Sequence, residues 1–210
     1  MLTTLFQRIL NWLSHLKRSE PSDQSRLPSG SLPDSLDSAK PTLSPSEIKR
    51  LEKMHRFEEG VKSTPYFDSR GFETIGIGHL MDQRIGGYLP AYARNELSAK
   101  GRLSDTVISR LYEEDLNRTV DDLLRYLPWV FRLDPVRRDV LIDMCFQMGI
   151  GSPETGEGLR GFKNTLRYIQ NGDYTQAARN MELSAWYKQT PNRAKRRINE
   201  MKTGVAFKYA

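Results

Sequence analysis

A chain of 210 residues can hold one good-sized domain or two small lobes around a shared core. Its 32 Lys and Arg against 26 Asp and Glu leave a formal charge of +6 and a pI near 9.4. That balance serves solubility or favours a polyanionic partner: nucleic acid, an anionic membrane surface or the bacterial envelope. A single cysteine, Cys145, excludes an intramolecular disulfide, and no run of about twenty apolar residues exists to cross a membrane as a helix.

In residues 1–18, MLTTLFQRILNWLSHLKR, the apolar Leu2, Leu5, Phe6, Ile9, Leu13 and Leu16 recur at helical spacing, with Arg8, His15 and Lys17 among the polar remainder. The pattern predicts an amphipathic helix. With no basic cluster before its apolar part and no small-residue cleavage site, it makes a poor secretory signal. It suits insertion into a membrane surface, docking on a partner, or packing on its own domain. Residues 19–43, rich in Ser, Pro and Asp without a sustained period, read as a disordered linker.

Ser44-Pro45-Ser46-Glu47 has the form of a helix start: serine caps, proline suits the first turn, and the glutamate completes a capping box. Ile48, Leu51, and Met54 or His55 follow at helical spacing and bring Glu59 to the last turn before Gly60. An extended stretch comes next, with Tyr66, Phe67, a turn at Asp68-Ser69-Arg70-Gly71, and a glycine-rich strand from Phe72 to His79. On that strand Ile75 and Ile77 share one face and Thr74 the other with Gly76 and Gly78, whose missing side chains leave room for a ligand.

A short helix is expected near Ala91–Leu97, and a long one from a Ser104-Asp105 cap, striped by Val107, Ile108, Leu111, Leu116, Val120, Leu123, Leu124 and Leu127. Asp134-Pro135 opens a central helix whose buried side is Val136, Val140, Leu141, Met144, Cys145 and Met148. After the glycine-rich GIGSPETGEGLRG the remaining helices, one entered by Thr190-Pro191, form an all-α lobe.

Two carboxyls stand out chemically. Glu59 sits at a helix C-terminus, where the negative end of the dipole inclines a carboxyl to hold its proton. Asp68 lies in a polar turn, where solvent and backbone donors favour the anion. Such a divided pair is what glycosidic bond hydrolysis needs. Glu58 is the rival to Glu59, but helical neighbours point about 100° apart, so only one of them faces a cleft. The three histidines show no metal-ligand spacing, and no cofactor or metal is expected.

Glu58-Glu59-Gly60, then Asp68 eight residues after the glycine, then Thr74-Ile75-Gly76-Ile77-Gly78-His79-Leu80 resemble the catalytic region of T-even bacteriophage lysozymes, glycoside hydrolase family 24. VRRDVLIDMCFQMG resembles that family's central helix and AWYKQTPNRAKRRI its C-terminal region, so the likeness runs from about Ser44 to Tyr209. It implies an α+β, mainly α, two-lobed lysozyme fold: a small β lobe and a helical lobe joined by the long helix. Residues 1–18, 19–43 and 44–210 would then be a helix, a linker and the lysozyme domain.

The resemblance selects Glu59 as general acid and implies Asp68 as general base, with Thr74 positioning the water, in an inverting hydrolysis of the β-1,4 bond between N-acetylmuramic acid and N-acetylglucosamine. It implies Leu80 and Phe146 as apolar sugar contacts and Thr165 and Asn180 as hydrogen-bonding ones, Thr165 standing for the family's serine. It further implies a structural ion pair between His79 and Asp115, and an Arg193 that reaches Glu59. The expected partner is peptidoglycan, met by a monomer made in a bacterial host's cytoplasm and acting in the periplasm. Through residues 1–18 the protein would engage a membrane as an endolysin, or a phage structural protein as a virion or secretion-associated lysozyme. A non-catalytic wall-binding module is the alternative from another class. No nucleic-acid motif accompanies the charge.

Overall fold

The computed structural model describes residues 42–68 and 71–209. The expectations for residues 1–18, for residues 19–41 of the linker, and for Ser69 and Arg70 lie outside the described residues.

Helix α1 (Pro45–Glu59) starts on a complete capping box: the Glu47 amide donates to the Ser44 hydroxyl, and the Ser44 amide donates to the Glu47 carboxylate over 2.7 Å. Its inward stripe is Leu51, Met54 and His55, spaced to share one helical face. Leu51 has no exposed surface, and truncating such a side chain to alanine costs about 2–5 kcal/mol.

Strands β1 (Lys62–Phe67), β2 (Glu73–Gly76) and β3 (His79–Leu80) form an antiparallel sheet in that order. Tyr66 pairs with Thr74, and Thr74 with Leu80. The β1–β2 register shifts between Lys62 and Tyr66, where Pro65 has no N–H to give the ladder. The single strand expected from Phe72 to His79 is instead a hairpin. Gly76 and Gly78 both have positive φ (68° and 73°), a conformation that lets the chain reverse there at little cost.

Helices α2 (Ala91–Lys100) and α3 (Asp105–Tyr126) follow. Ser104 precedes α3, but its amide and hydroxyl both donate to Glu96, so it links α2 to α3 instead of capping its own helix. The helical lobe comprises α4 (Pro135–Met148), α5 (Lys163–Gln170), α6 (Tyr174–Glu182), α7 (Ala185–Gln189) and α8 (Pro191–Thr203).

Central helix α4 departs from the one-sided burial expected of it. Every residue from Asp139 to Met148 is buried, the polar Asp139, Asp143 and Gln147 included, while Val136 is only partly covered. The helix touches α1, α3 and α8 at once, so no face is left for water, and its polar side chains need partners inside the protein. One hydrophobic core runs through both lobes, from Ile75 and Ile108 to Met181 and Ile198. Mainly helical, with a small antiparallel sheet lobe, the architecture is the α+β arrangement expected.

Candidate active site

Glu59 is the last residue of α1, and its side chain is 22% exposed. Arg193, from α8, donates from Nη1 to Glu59 Oε1 across 134 residues of chain. Glu58 turns the other way. Its side chain is 2% exposed, accepts from Arg196 Nε at 2.8 Å, and lies 3.6 Å from Arg197. The two neighbours therefore occupy opposite environments, one fully paired in the interior and one reaching the surface.

Asp68 follows β1. Its Oδ1 accepts from the Phe72 amide at 2.9 Å, and its own amide donates to the Phe72 carbonyl at 3.0 Å. These bonds hold the side chain at the turn end of the hairpin formed by β1 and β2. Tyr66 lies two residues earlier, on the same strand face as Asp68 by alternation. Burial raises its phenol, and the neighbouring carboxyls of Glu59 and Asp68 raise it further. Sequence reasoning missed Tyr66; the signal was its place two positions before Asp68.

Thr74 is 1% exposed and donates its hydroxyl to the Phe72 carbonyl at 3.1 Å. The space expected beside it for a ligand is partly taken by the protein: a Cβ on Gly76 would meet Ile108 of α3 at 3.6 Å. Leu80, on β3, is half-buried. His79 is buried, its Nδ1 3.0 Å from Asp115 and its Nε2 donating to the Tyr88 carbonyl at 2.7 Å. Both ring nitrogens face acceptors, which fixes the orientation of the ring.

In the helical lobe a groove of ≈ 500 Å³ is lined by Gln147, Phe162, Asn180, Leu183 and Trp186. Asn180 reaches this groove, and its Oδ1 accepts from the Thr165 hydroxyl at 2.8 Å. With Oδ1 engaged, the Asn180 amide N–H groups are oriented as donors. Thr165 and Phe146 are not at the surface. Thr165 has no exposed area, and Phe146, at 1%, stacks on His55 with ring centroids 4.2 Å apart. Direct sugar contact by these two is at odds with that burial; Thr165 instead supports Asn180 from within, and Phe146 packs on His55 and Tyr112. Among the described residues no three His, Cys, Asp or Glu side chains gather to hold a metal.

Behind Glu59 lies a buried charge cluster. Burial opposes ionisation of Asp143, but Arg193, Arg197 and His55 together hold its carboxyl well below the usual range. Arg193 is buried as well, and the carboxyl groups of Asp143 and Glu59 beside it outweigh its desolvation and keep it charged.

Sequence comparison places these observations beside known proteins. Residues 56–200 match the family described as "Phage lysozyme". The chain is 30% identical over 178 residues to "Probable T4-type lysozyme 1" of Dictyostelium discoideum, covering 77% of this chain and 99% of that protein. "Probable T4-type lysozyme 2" of the same organism is 27% identical over 174 residues, with the same coverage, 77% and 99%. The "Pre-baseplate central spike protein Gp5" of Enterobacteria phage T4 is 29% identical over 174 residues, which are 76% of this chain and 28% of that one.

Proposed function

The chain belongs to the phage lysozyme family, a lysozyme that hydrolyses peptidoglycan, and from that premise we propose that Glu59 and Asp68 are its general acid and base. In this reading the substrate is the glycan strand, cut at the β-1,4 bond between N-acetylmuramic acid and N-acetylglucosamine. Glu59 protonates the glycosidic oxygen as its bond to the muramic acid anomeric carbon breaks. A water attacks that carbon from the opposite face and gives a proton to Asp68, so the configuration inverts. Net, one water is consumed and two sugar ends appear. Thr74 holds the water through its hydroxyl oxygen, and Leu80 and Asn180 meet the glycan from the two lobes.

The observation that carries the reading is the contrast between adjacent glutamates. Glu58 is consumed by two arginines, whereas Glu59 keeps exposed surface and one guanidinium contact. A wall-binding module without turnover would have no need of that arrangement.

For the chain as a whole we keep residues 44–210 as the lysozyme domain, with residues 1–18 and 19–43 as a docking helix and its linker. No described helix is long and apolar enough to cross a membrane. Similarity to a segment of a phage spike protein supports a virion setting beside the endolysin one. Deleting residues 1–43 discriminates the two: loss of liposome binding with wall hydrolysis kept favours the endolysin, and loss of a phage structural partner favours the virion.

The test of the chemistry is digestion of purified peptidoglycan by the full chain beside Glu59→Gln, with borohydride reduction of the products. Reduced muramic acid ends from the parent and almost none from the variant are expected. No new reducing ends from the folded parent would overturn the reading.

A further inference from the structure

Arg193 is shared between two carboxylates. Its Nε and Nη2 grip Asp143 at 3.2 and 2.7 Å, while Nη1 is left to reach Glu59. The bidentate side sets the plane of the guanidinium, and that plane sets where the third donor points. Asp143 has no exposed side-chain area, and its surroundings are built around it. His55 Nε2 lies 3.1 Å from Oδ1, and Arg197 Nε lies 3.8 Å from Oδ2. His55 is fully buried too, and its Nδ1 meets the Tyr112 hydroxyl at 2.7 Å.

The hydrogens along this chain follow from the groups. Burial pushes the Tyr112 phenol well above its ordinary value, so it keeps its proton and donates to Nδ1. Burial lowers His55, more than Asp143 raises it, so the ring is neutral and carries its hydrogen on Nε2, toward Asp143. Asp143 therefore stays a full anion, oriented by groups on α1, α3 and α8.

The consequence bears on Glu59. A cation within hydrogen-bond reach favours the ionised form of a carboxyl, whereas a general acid must arrive protonated. An anion bonded to the far side of the same guanidinium offsets that pull, most strongly where water is excluded. Resting on the reading of Glu59 as the acid, we propose that Asp143 is a positioning residue for catalysis: it aims Arg193 at Glu59 and cancels enough of its charge for Glu59 to keep a proton.

The other ionisable groups around the cluster are Glu58 from α1, Asp139 from α4, Arg196, Arg197 and Glu200 from α8, and Tyr66 from β1. Glu58 is paired with Arg196 and Arg197, and Glu200 with Arg197 at 3.1 Å. Asp139 accepts from Arg50 at 2.7 Å. Asp143 is thus the anion that Arg193 holds with two donors.

The test compares wall hydrolysis by the full-length parent, Asp143→Asn and Glu59→Gln between about pH 4 and about pH 9, with folding checked by thermal melts. Asp143→Asn keeps the shape and removes the anion. The alkaline limb of its kcat/KM profile is expected to move down by about one pH unit, a loss of about tenfold on that limb, with acidic-side activity within about twofold of the parent and KM unchanged. A purely structural Asp143 would lower the melting temperature and leave the limb where it was. A folded variant with the parental limb, or with equal loss at every pH, overturns the inference. Should Asp143→Asn not fold, Asp143→Ser, a smaller neutral residue that likewise removes the anion, carries the same expectation and the same refutation. Glu59→Gln separates the two readings. If it hydrolyses wall at the parental rate, the acid assignment falls and this inference with it. If it is inactive while Asp143→Asn keeps the parental limb, only the inference falls.

Discussion

Asp115 Oδ2 lies 3.0 Å from His79 Nδ1, which joins β3 of the sheet lobe to the long helix α3; the side chains are 3% and 6% exposed. Arg118, one turn along α3, also pairs with Asp115, so the carboxylate serves a histidine and an arginine together. Asparagine in its place leaves the buried imidazole and Arg118 without the carboxylate they share. Asp115→Asn is expected to lower the unfolding free energy by about 3 kcal/mol at neutral pH, read by denaturant titration, with turnover of the folded enzyme near parental. A change under about 0.5 kcal/mol would mean the pair adds nothing beyond an ordinary surface contact.

The cap of α1 predicts an acid limb in stability. The Ser44 amide pulls the Glu47 carboxyl from 4.5 to about 2, against the opposing effect of burial and with help from the Ser44 hydroxyl and Arg138. A folded value below the unfolded one means the contribution is complete above about pH 4.5 and is lost as pH falls through about 2. Glu47→Gln should cost about 1 kcal/mol at neutral pH and flatten that part of the stability curve. Thermal melts of both proteins across the acid range check it; parallel curves would contradict it.

The loop after α4 is held by a close approach of backbone to backbone. Gly151 has φ 62°, and a Cβ placed on it would lie 1.8 Å from the Glu157 carbonyl oxygen. Gly151→Ala should therefore destabilise by about 2 kcal/mol or more. Since Glu157 and Gly158 line the helical-lobe groove, KM for wall fragments should rise with it. Parental stability and KM together would show that the loop can open without cost.

Trp186 on α7 donates from Nε1 to Gln147 Oε1 on α4 over 2.7 Å, beneath the same groove. Gln147→Leu would bury the indole N–H without an acceptor, at a cost of about 2 kcal/mol. Gln147→Glu keeps an acceptor and should recover much of that loss. Chemical denaturation followed by tryptophan fluorescence distinguishes the two, and equal losses would show that the hydrogen bond is not the cause.

Much of the fold could be read along the chain because its signals are local. The Ser44-Pro45-Ser46-Glu47 box, the Asp134-Pro135 start and the Thr190-Pro191 entry each act within one helical turn, and helices begin at all three. Where a pattern depended on what covers it, the reading went astray. The glycines beside Thr74 looked like room for a ligand, but Gly76 makes a turn and packs against Ile108 of α3. Ser104 stands at the start of α3 as expected, but its side chain makes no capping bond and donates instead to Glu96 of α2.

The candidate site divides along the same line. By itself the sequence determined that Glu59 ends a helix, that Asp68 follows a strand, and that both stand in a lysozyme-like order, because helix ends and turns are set by residues a few positions apart. Only the tertiary structure decided that Glu58 is consumed by Arg196 and Arg197 while Glu59 stays partly open, and that Asp143 stands behind Arg193. Burial and Coulomb interaction depend on distance in space, and Arg193 lies 134 residues from Glu59 along the chain. No local pattern carries that separation; packing α8 against α1 and α4 does.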